Sequence, residues 1–555
     1  MDLLRGHLTG GSVMSGRQSP WRYERPPQAG RKRLSVRGLH RRLGPAGAAV
    51  PVLLALSACA VGPDFAPPPA PAVSGYTPEA KPAATASADV ASGASQTFDL
   101  GRDIPGDWWK VFHSKELNAL IEQALQSNPN LQAAQATLWQ AKENIYAQAG
   151  ALLPSIDANG SVTRERFSPV TFGGTGAPSL FTLYQATVNI SYAPDVFGGK
   201  RRQIEASAAQ AEYQRFELEA TLLTLTANVV TAAVQEASLR GQIEATQDII
   251  KAESDQLEVV RNQFTVGAAT RADVLTQESE VATTRATLPP LQKQLEQQHH
   301  LLLQLTGRFP SQGRAEQFRL AALRLPTRLP LSLPSQLVEQ RPDVRAAQAQ
   351  LHQASAQIGV AIANRLPQIN LTAEYGSAAL TTAALFTPNS IIWNAMASGA
   401  QPLFHGFTLL HQERAARAGY DIADAQYRNT VLTAFQNVAD ALRALQLDAR
   451  TLKAQQEAAR AAAATLDLSR GQYKLGAITY ITLLNAQRSD AQARLAVVQA
   501  QAARYADTAA LFQALGGGWW NRDDVLPNPY TPRPLLVQDA SDRPPDPPAP
   551  PELHP

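Results

Sequence analysis

The chain has 555 residues, a net charge of +3 and a single cysteine, Cys59. That near-neutral balance offers no global field for nucleic acid, and one cysteine excludes an internal disulfide framework or a multi-cysteine metal site. Abundant Ala, Gln and Leu with only 6% aromatics suit long packed helices.

Basic residues come first. Arg31, Lys32, Arg33, Arg37, Arg41 and Arg42 precede a short, mainly apolar run from Ala46 to Ala58. The run is too short to span a bilayer and fits the h-region of a signal peptide. Leu56-Ser57-Ala58 then sets small residues before Cys59, in a pattern that resembles a bacterial lipobox. Residues 1–58 therefore read as a signal peptide with an over-long N-terminus, the true start being Met14 or later. Residues 59–107 read as a lipidated, extended segment. No later stretch has ~18 consecutive apolar residues, so a membrane crossing would have to use a β-barrel.

The rest is one long unit written twice. Asn128-Pro129-Asn130-Leu131-Gln132-Ala133-Ala134 matches Arg341-Pro342-Asp343-Val344-Arg345-Ala346-Ala347, and Leu153-Pro154 matches Leu366-Pro367 at the same spacing. Phe197 and Gly199 pair with Phe404 and Gly406. Arg261-x-Gln263-Phe264-x-x-Gly267 pairs with Arg470-x-Gln472-Tyr473-x-x-Gly476. The first repeat spans 108–306, a linker 307–335, the second repeat 336–514, and a Pro-rich tail 515–555.

Each repeat opens with a helix, 129–150 or 342–364, whose Pro suits the first turn. Alternating segments follow. From Tyr184 to Tyr192 apolar and polar side chains alternate strictly, as they do over 156–162 and 369–375 and less cleanly over 391–399. A period of two predicts strands with one polar face, here Asp157, Asn159, Ser161, Thr187, Asn189, Asn370, Thr372 and Glu374. Stretches 168–180 and 376–390 are expected loops. A very long helix then runs over 201–265 or 408–470, reverses at a glycine, and returns over 271–306 or 477–514. At ~1.5 Å per residue the long helix spans roughly 97 Å, and the opening and returning helices placed end to end come to nearly as much. The expected wall is a long helix beside a stack of two short ones, twice per chain, with 307–335 and the residues after 515 forming a belt at mid-height. Pro289-Pro290 is expected to interrupt and bend the first return helix. Four strands cannot close a transmembrane barrel, whose smallest form has about eight, so three chains would share twelve.

Longer motifs complete the pattern: Cys59-Ala60-Val61-Gly62-Pro63-Asp64-Phe65, Trp108-Trp109-x-x-Phe112, Gly476-x-x-x-Tyr480-Ile481-Thr482-Leu483-Leu484-Asn485-Ala486-Gln487-Arg488-Ser489 and Ala514-Leu515-Gly516-Gly517-Gly518-Trp519. In this order and on this repeat, they resemble the TolC superfamily, in particular the outer-membrane efflux lipoproteins typified by OprM and NodT. The resemblance implies a mixed, mainly α fold: a trimeric twelve-stranded outer-membrane barrel continued by a periplasmic α-helical barrel. It implies lipidation at Cys59, and a homotrimer in outer-membrane lipid that works with a periplasmic adaptor and an inner-membrane transporter of the RND type. The function implied is export of small molecules such as drugs or toxic compounds across the outer membrane. A duct for type I protein secretion and a lipid-anchored periplasmic scaffold without a pore are the alternatives. No cofactor, metal site or nucleic-acid partner is expected, and no enzyme: the nine histidines are scattered, His299-His300 lacks metal-site spacing, and no P-loop or GxSxG occurs. Gly173-Gly174-x-Gly176 reads as a flexible loop.

The resemblance also locates the working residues. Gly267 and Gly476 mark the tips where an adaptor docks. The periplasmic gate falls at Ile481, an apolar constriction, and at Asn485, where the family often carries a carboxylate. Thr482 likewise replaces an acidic residue found in some members. Asp273, at the matching place in the first repeat, and Tyr473 are expected to bond to each other and hold the tip closed. The usual basic partner two positions after the second glycine is Ile478 here.

Overall fold

The computed structural model describes residues 60–78, 84–313 and 316–523. The expected signal peptide 1–58, the lipidation site Cys59 and the tail beyond 523 lie outside the described residues.

In chain order the elements are β1 (Thr97–Leu100), α1 (Lys115–Ser127), α2 (Pro129–Gly150), β2 (Ser155–Phe167), β3 (Ser179–Tyr192), α3 (Gly199–Thr265), α4 (Arg271–Leu305), β4 (Arg328–Leu331), α5 (Pro334–Gln340), α6 (Pro342–Ala363), β5 (Gln368–Ala379), β6 (Ile391–Ala400), α7 (Thr408–Lys474) and α8 (Tyr480–Ala514). The two repeats have helices of equal length: 22 residues in α2 and α6, 67 in α3 and α7, 35 in α4 and α8. At ~1.5 Å per residue the long helices reach about 100 Å. Helix α7 packs along α6 and α8, and α3 packs along α2, α4, α6 and α8. Each long helix therefore runs beside shorter ones.

Local chemistry sets the ends. Asn128 caps α2, its side-chain oxygen accepting from the amides of Asn130 and Leu131, and Pro129 fills the first turn. Helix α4 runs unbroken through Pro289 and Pro290, contrary to the expected interruption. Helix α3 contains one window long and apolar enough to cross a membrane, but 56% of that window is buried inside the protein. Its apolar residues, including Val229, Val230 and Val234, are core.

Strands β2, β3, β5 and β6 form one antiparallel sheet in that order. Its register crosses the repeat boundary cleanly. Asp157, Asn189, Glu374 and Asn394 form one polar rung across all four strands, and Ala158, Val188, Tyr375 and Trp393 form the next, on the opposite face. The strands are longer than their alternation suggested: β5 continues to Ala379, inside the expected 376–390 loop. At 10 to 14 residues each can cross a bilayer core, which needs about 9–11. Val162, Val188, Ile190, Tyr375, Trp393 and Met396 are exposed on this sheet.

The inter-repeat linker and the end of α8 contact more of the chain than expected. Strand β1, from the N-terminal segment, pairs in parallel with β4 from the inter-repeat linker. Trp108 stacks on Phe512 with centroids 5.4 Å apart, and Arg341 donates to the Ala514 carbonyl at 2.9 Å. Arg504 is fully buried; it donates to the carbonyls of Ser92 and Ala94 and to the side-chain oxygen of Gln96. A buried guanidinium left without acceptors would cost several kcal/mol, so these carbonyls pin the N-terminal segment to α8. Upstream, residues 60–76 form a strap along the helices. Val61 donates to the Phe197 carbonyl, Phe65 stacks on His352 at 4.4 Å, and Tyr76 donates to the Ser332 carbonyl.

Candidate functional site

Both hairpins reverse through the same capping geometry. After α3, Gly267 lies at φ +77°, its amide bonds the Phe264 carbonyl, and the Ala268 amide reaches back to Gln263. After α7, Gly476 lies at φ +72°, with Gly476 bonded to Tyr473 and Ala477 to Gln472. These are paired Schellman motifs, and the left-handed residue in each is the glycine read from the sequence. A Cβ at either position would meet open space, so only the backbone angle demands glycine there. Beside them stand two exposed apolar side chains, Val266 and Leu475, 78% and 85% accessible.

The next turns differ. Thr270 and Asp273 form a capping box: the Asp273 amide donates to the Thr270 hydroxyl, and the Asp273 carboxylate accepts from the Thr270 amide at 2.8 Å and hydroxyl at 2.7 Å. In the second hairpin the hydroxyls of Thr479 and Thr482 face each other at 3.0 Å, and Thr479 makes no side-chain cap bond.

Just above the tips, Val260, Val274, Leu466, Tyr480, Leu483 and Ala486 form one cluster with Ile478 against it, joining all four helices of the two hairpins. Polar bonds reinforce it. The Tyr473 hydroxyl donates to Gln263 at 3.0 Å, and the Tyr480 hydroxyl donates to Gln277, which in turn donates to the Glu253 carbonyl. Arg488 forks onto Glu280. The expected Asp273–Tyr473 bond is therefore not formed within the chain. The carboxylate is committed to its capping box and the phenol to Gln263, although burial and the charge of Asp273 both push the Tyr473 hydroxyl up. Glu253 lies under this network with one carboxylate oxygen unpaired, and burial pushes its carboxyl above the usual range.

Ile481, Thr482 and Asn485 are exposed on α8, while Tyr480 and Leu483 belong to the cluster and Leu484 is buried. Ile481 is 54% accessible, one turn from Asn485. The structure adds Gln263, Gln277, Glu280 and Arg488 as inter-hairpin contacts. Tyr480 and Arg488 were inside the quoted motif, but their partners lie more than 200 residues away, and no spacing rule connects them.

The pattern of the family described as "Outer membrane efflux protein" matches residues 120–308 and 333–517. The pyoverdine export outer membrane protein OpmQ of Pseudomonas putida is 31% identical over 435 residues, 77% of this chain and 91% of that protein. The toluene efflux pump outer membrane protein TtgC of the same species is 28% identical over 84% of this chain and 94% of its own length. Among solved structures, the outer-membrane channel OprN superposes with a TM-score of 0.74 at 26% identity, covering 83% of this chain and 100% of that one.

Proposed function

The chain belongs to the outer membrane efflux protein family, and on that premise we propose how its parts serve the passage of solutes. It is an outer-membrane efflux channel of a tripartite pump, extending into the periplasm. The family is one of channel proteins rather than enzymes.

The observation that carries the finer reading is the open sheet. Strands β2 and β6 are its two edges, each paired on one side only. Unpaired edges are not tolerated in the bilayer core. Three copies, β6 of each against β2 of the next, close a twelve-stranded barrel and leave no edge. The polar rungs face its lumen and the apolar ones face lipid. Lipidation at Cys59 fits this placement. Ala60 packs on Gly198, where β3 gives way to α3, so closely that a Cβ at Gly198 would fall 2.8 Å from the Ala60 Cβ. An acyl group one residue earlier would enter the leaflet beside the barrel. The exposed tips at Gly267 and Gly476, with Val266 and Leu475, are the docking points for a periplasmic adaptor fed by an inner-membrane RND transporter. Three Ile481 side chains form the gate, with Asn485 a neutral ring above them. The relatives' names, pyoverdine and toluene, favour small molecules as cargo.

The test is native mass in mild detergent. Three protomers are expected, and a mass of one or two overturns the shared barrel.

A further inference from the structure

A groove of about 420 Å³ crosses the face of α3 below the barrel, between α2 and α6. Seven glutamines and one asparagine are among its twelve lining residues, and none of the twelve is charged. Asn144 and Gln148 come from α2, Gln203 and Gln210 from α3, and Gln353 and Gln357 from α6.

A different face of the same helices, turned well away from the groove, carries the N-terminal strap. Arg202 of α3 donates to the Val61 carbonyl at 3.0 Å and pairs with Asp64 at 2.7 Å. On α6, His352 stacks on Phe65, a Cβ on Gly62 would run into the Gly359 backbone, and a Cβ on Gly359 would run into Arg202 and the Val61 carbonyl. At 100° per residue, the strap contacts and the groove glutamines point about 100° apart on α3 and about 130° apart on α6. The strap leads to Cys59. Chain that ends in a membrane-held lipid has to run outside the tube, so the glutamine face is the inside.

We infer that the periplasmic duct just below the barrel is lined by an uncharged band of side-chain amides, one groove per protomer, which takes polar hydrogen-bonding solutes without selecting the sign of their charge. This rests on the lipid-anchored duct proposed above. A ring of carboxylates or guanidiniums would favour one sign of cargo. Amides both donate and accept, and so exchange hydrogen bonds with uncharged or zwitterionic polar groups as these move past.

Full-length trimers in planar bilayers test it, because Cys59 is the only native cysteine and the parent channel is the blank. A negatively charged thiosulfonate reagent, added on the barrel side, should lower single-channel conductance stepwise in Gln210→Cys and in Gln357→Cys. It should also raise the cation-to-anion permeability ratio at least about twofold in each. His352→Cys, on the strap face, should show neither effect. Two groove positions on different helices guard against one variant failing to assemble. If the parent conducts but the groove variants are unchanged by reagent, or if His352→Cys responds as they do, the inner face has been misassigned and the amide band is refuted while the duct stands. A parent trimer that never conducts removes the duct itself, and the inference with it.

Discussion

The two hairpin tips share one backbone turn and differ in what holds the turn after it. At the first, a capping box ties Thr270 to Asp273, and the carboxylate also sits favourably at the positive end of α4. At the second, no acidic residue occupies the first turn of α8, and Thr479 makes no side-chain cap. Duplication has thus kept the glycine reversal and let the cap diverge. The first hairpin is fixed locally. The second is fixed by what it touches on the first: Leu483 and Tyr480 in the shared cluster, Arg488 on Glu280. A hairpin held mainly by tertiary contacts is the one that can swing, so opening is expected to move α7 and α8 against a stationary α3 and α4.

The largest effect should come from the cluster. Leu483→Ala removes a side chain that is 1% exposed and should cost about 2–4 kcal/mol of hairpin docking. Val274 stands at the matching place in the first hairpin, also 1% exposed, and Val274→Ala removes a smaller apolar volume. Hydrogen exchange along α8 should speed up in both variants, and more in Leu483→Ala. Equal exposure of α4 and α8 would break the comparison. The same asymmetry applies to the gate. Ile481→Ser should wet the constriction and raise resting conductance, whereas Ala272→Ser, at the matching exposed position of the first hairpin, should leave it unchanged. If the two behaved alike, the constriction would not be at Ile481.

Next in size is the ion pair. Glu280 is nearly buried and Arg488 half exposed, so Arg488→Met should cost about 1–2 kcal/mol, less than a fully buried pair would. Glu253 gives this junction a pH dependence. It faces Thr284, Glu280 and Arg488, and burial is the largest influence, raising its pKa above the ordinary 4.5. The folded state therefore holds the proton more tightly than the unfolded one. The stabilisation is complete below pH 4.5 and is lost as pH rises through the raised folded value. Thermal melts should show stability falling over that window, and Glu253→Gln should flatten it. A dependence that survives Glu253→Gln assigns it elsewhere.

Why some of this was legible in the sequence, and some was not, follows from range. Strand alternation and the Pro and Gly punctuation are local, and read on two copies of one unit they placed the helices, the strands and both glycine turns. What failed was contextual. Pro289 and Pro290 do not break α4, because tertiary contacts along α3 hold the helix through them. The strand β1 that pairs with β4 has four residues and no alternation long enough to read. Asp273 was expected to reach Tyr473, yet its nearer duty as a capping residue took the carboxylate first. The threonine–aspartate spacing that signals this was present at 270–273 and was outweighed by resemblance.

The smallest effect tests the comparison most directly. Thr270→Ala removes the hydroxyl that accepts from the Asp273 amide and leaves an orphan donor at the start of α4, at a cost of about 1 kcal/mol. Thr479→Ala removes a hydroxyl that bonds another hydroxyl, that of Thr482, so it should cost only a few tenths of a kcal/mol. A new cap should gain where an old one is lost. Thr482→Asp places a carboxylate three residues after Thr479, as Asp273 stands after Thr270, and can build the missing box and complement the α8 dipole. It should stabilise the second tip by up to about 1 kcal/mol and slow exchange of the first α8 amides. Resting conductance should then fall or stay level, because the hairpin that swings has been given the local support of the one that does not. If Thr482→Asp instead loosened the tip while Thr270→Ala left it intact, the caps would not be what distinguishes the two hairpins.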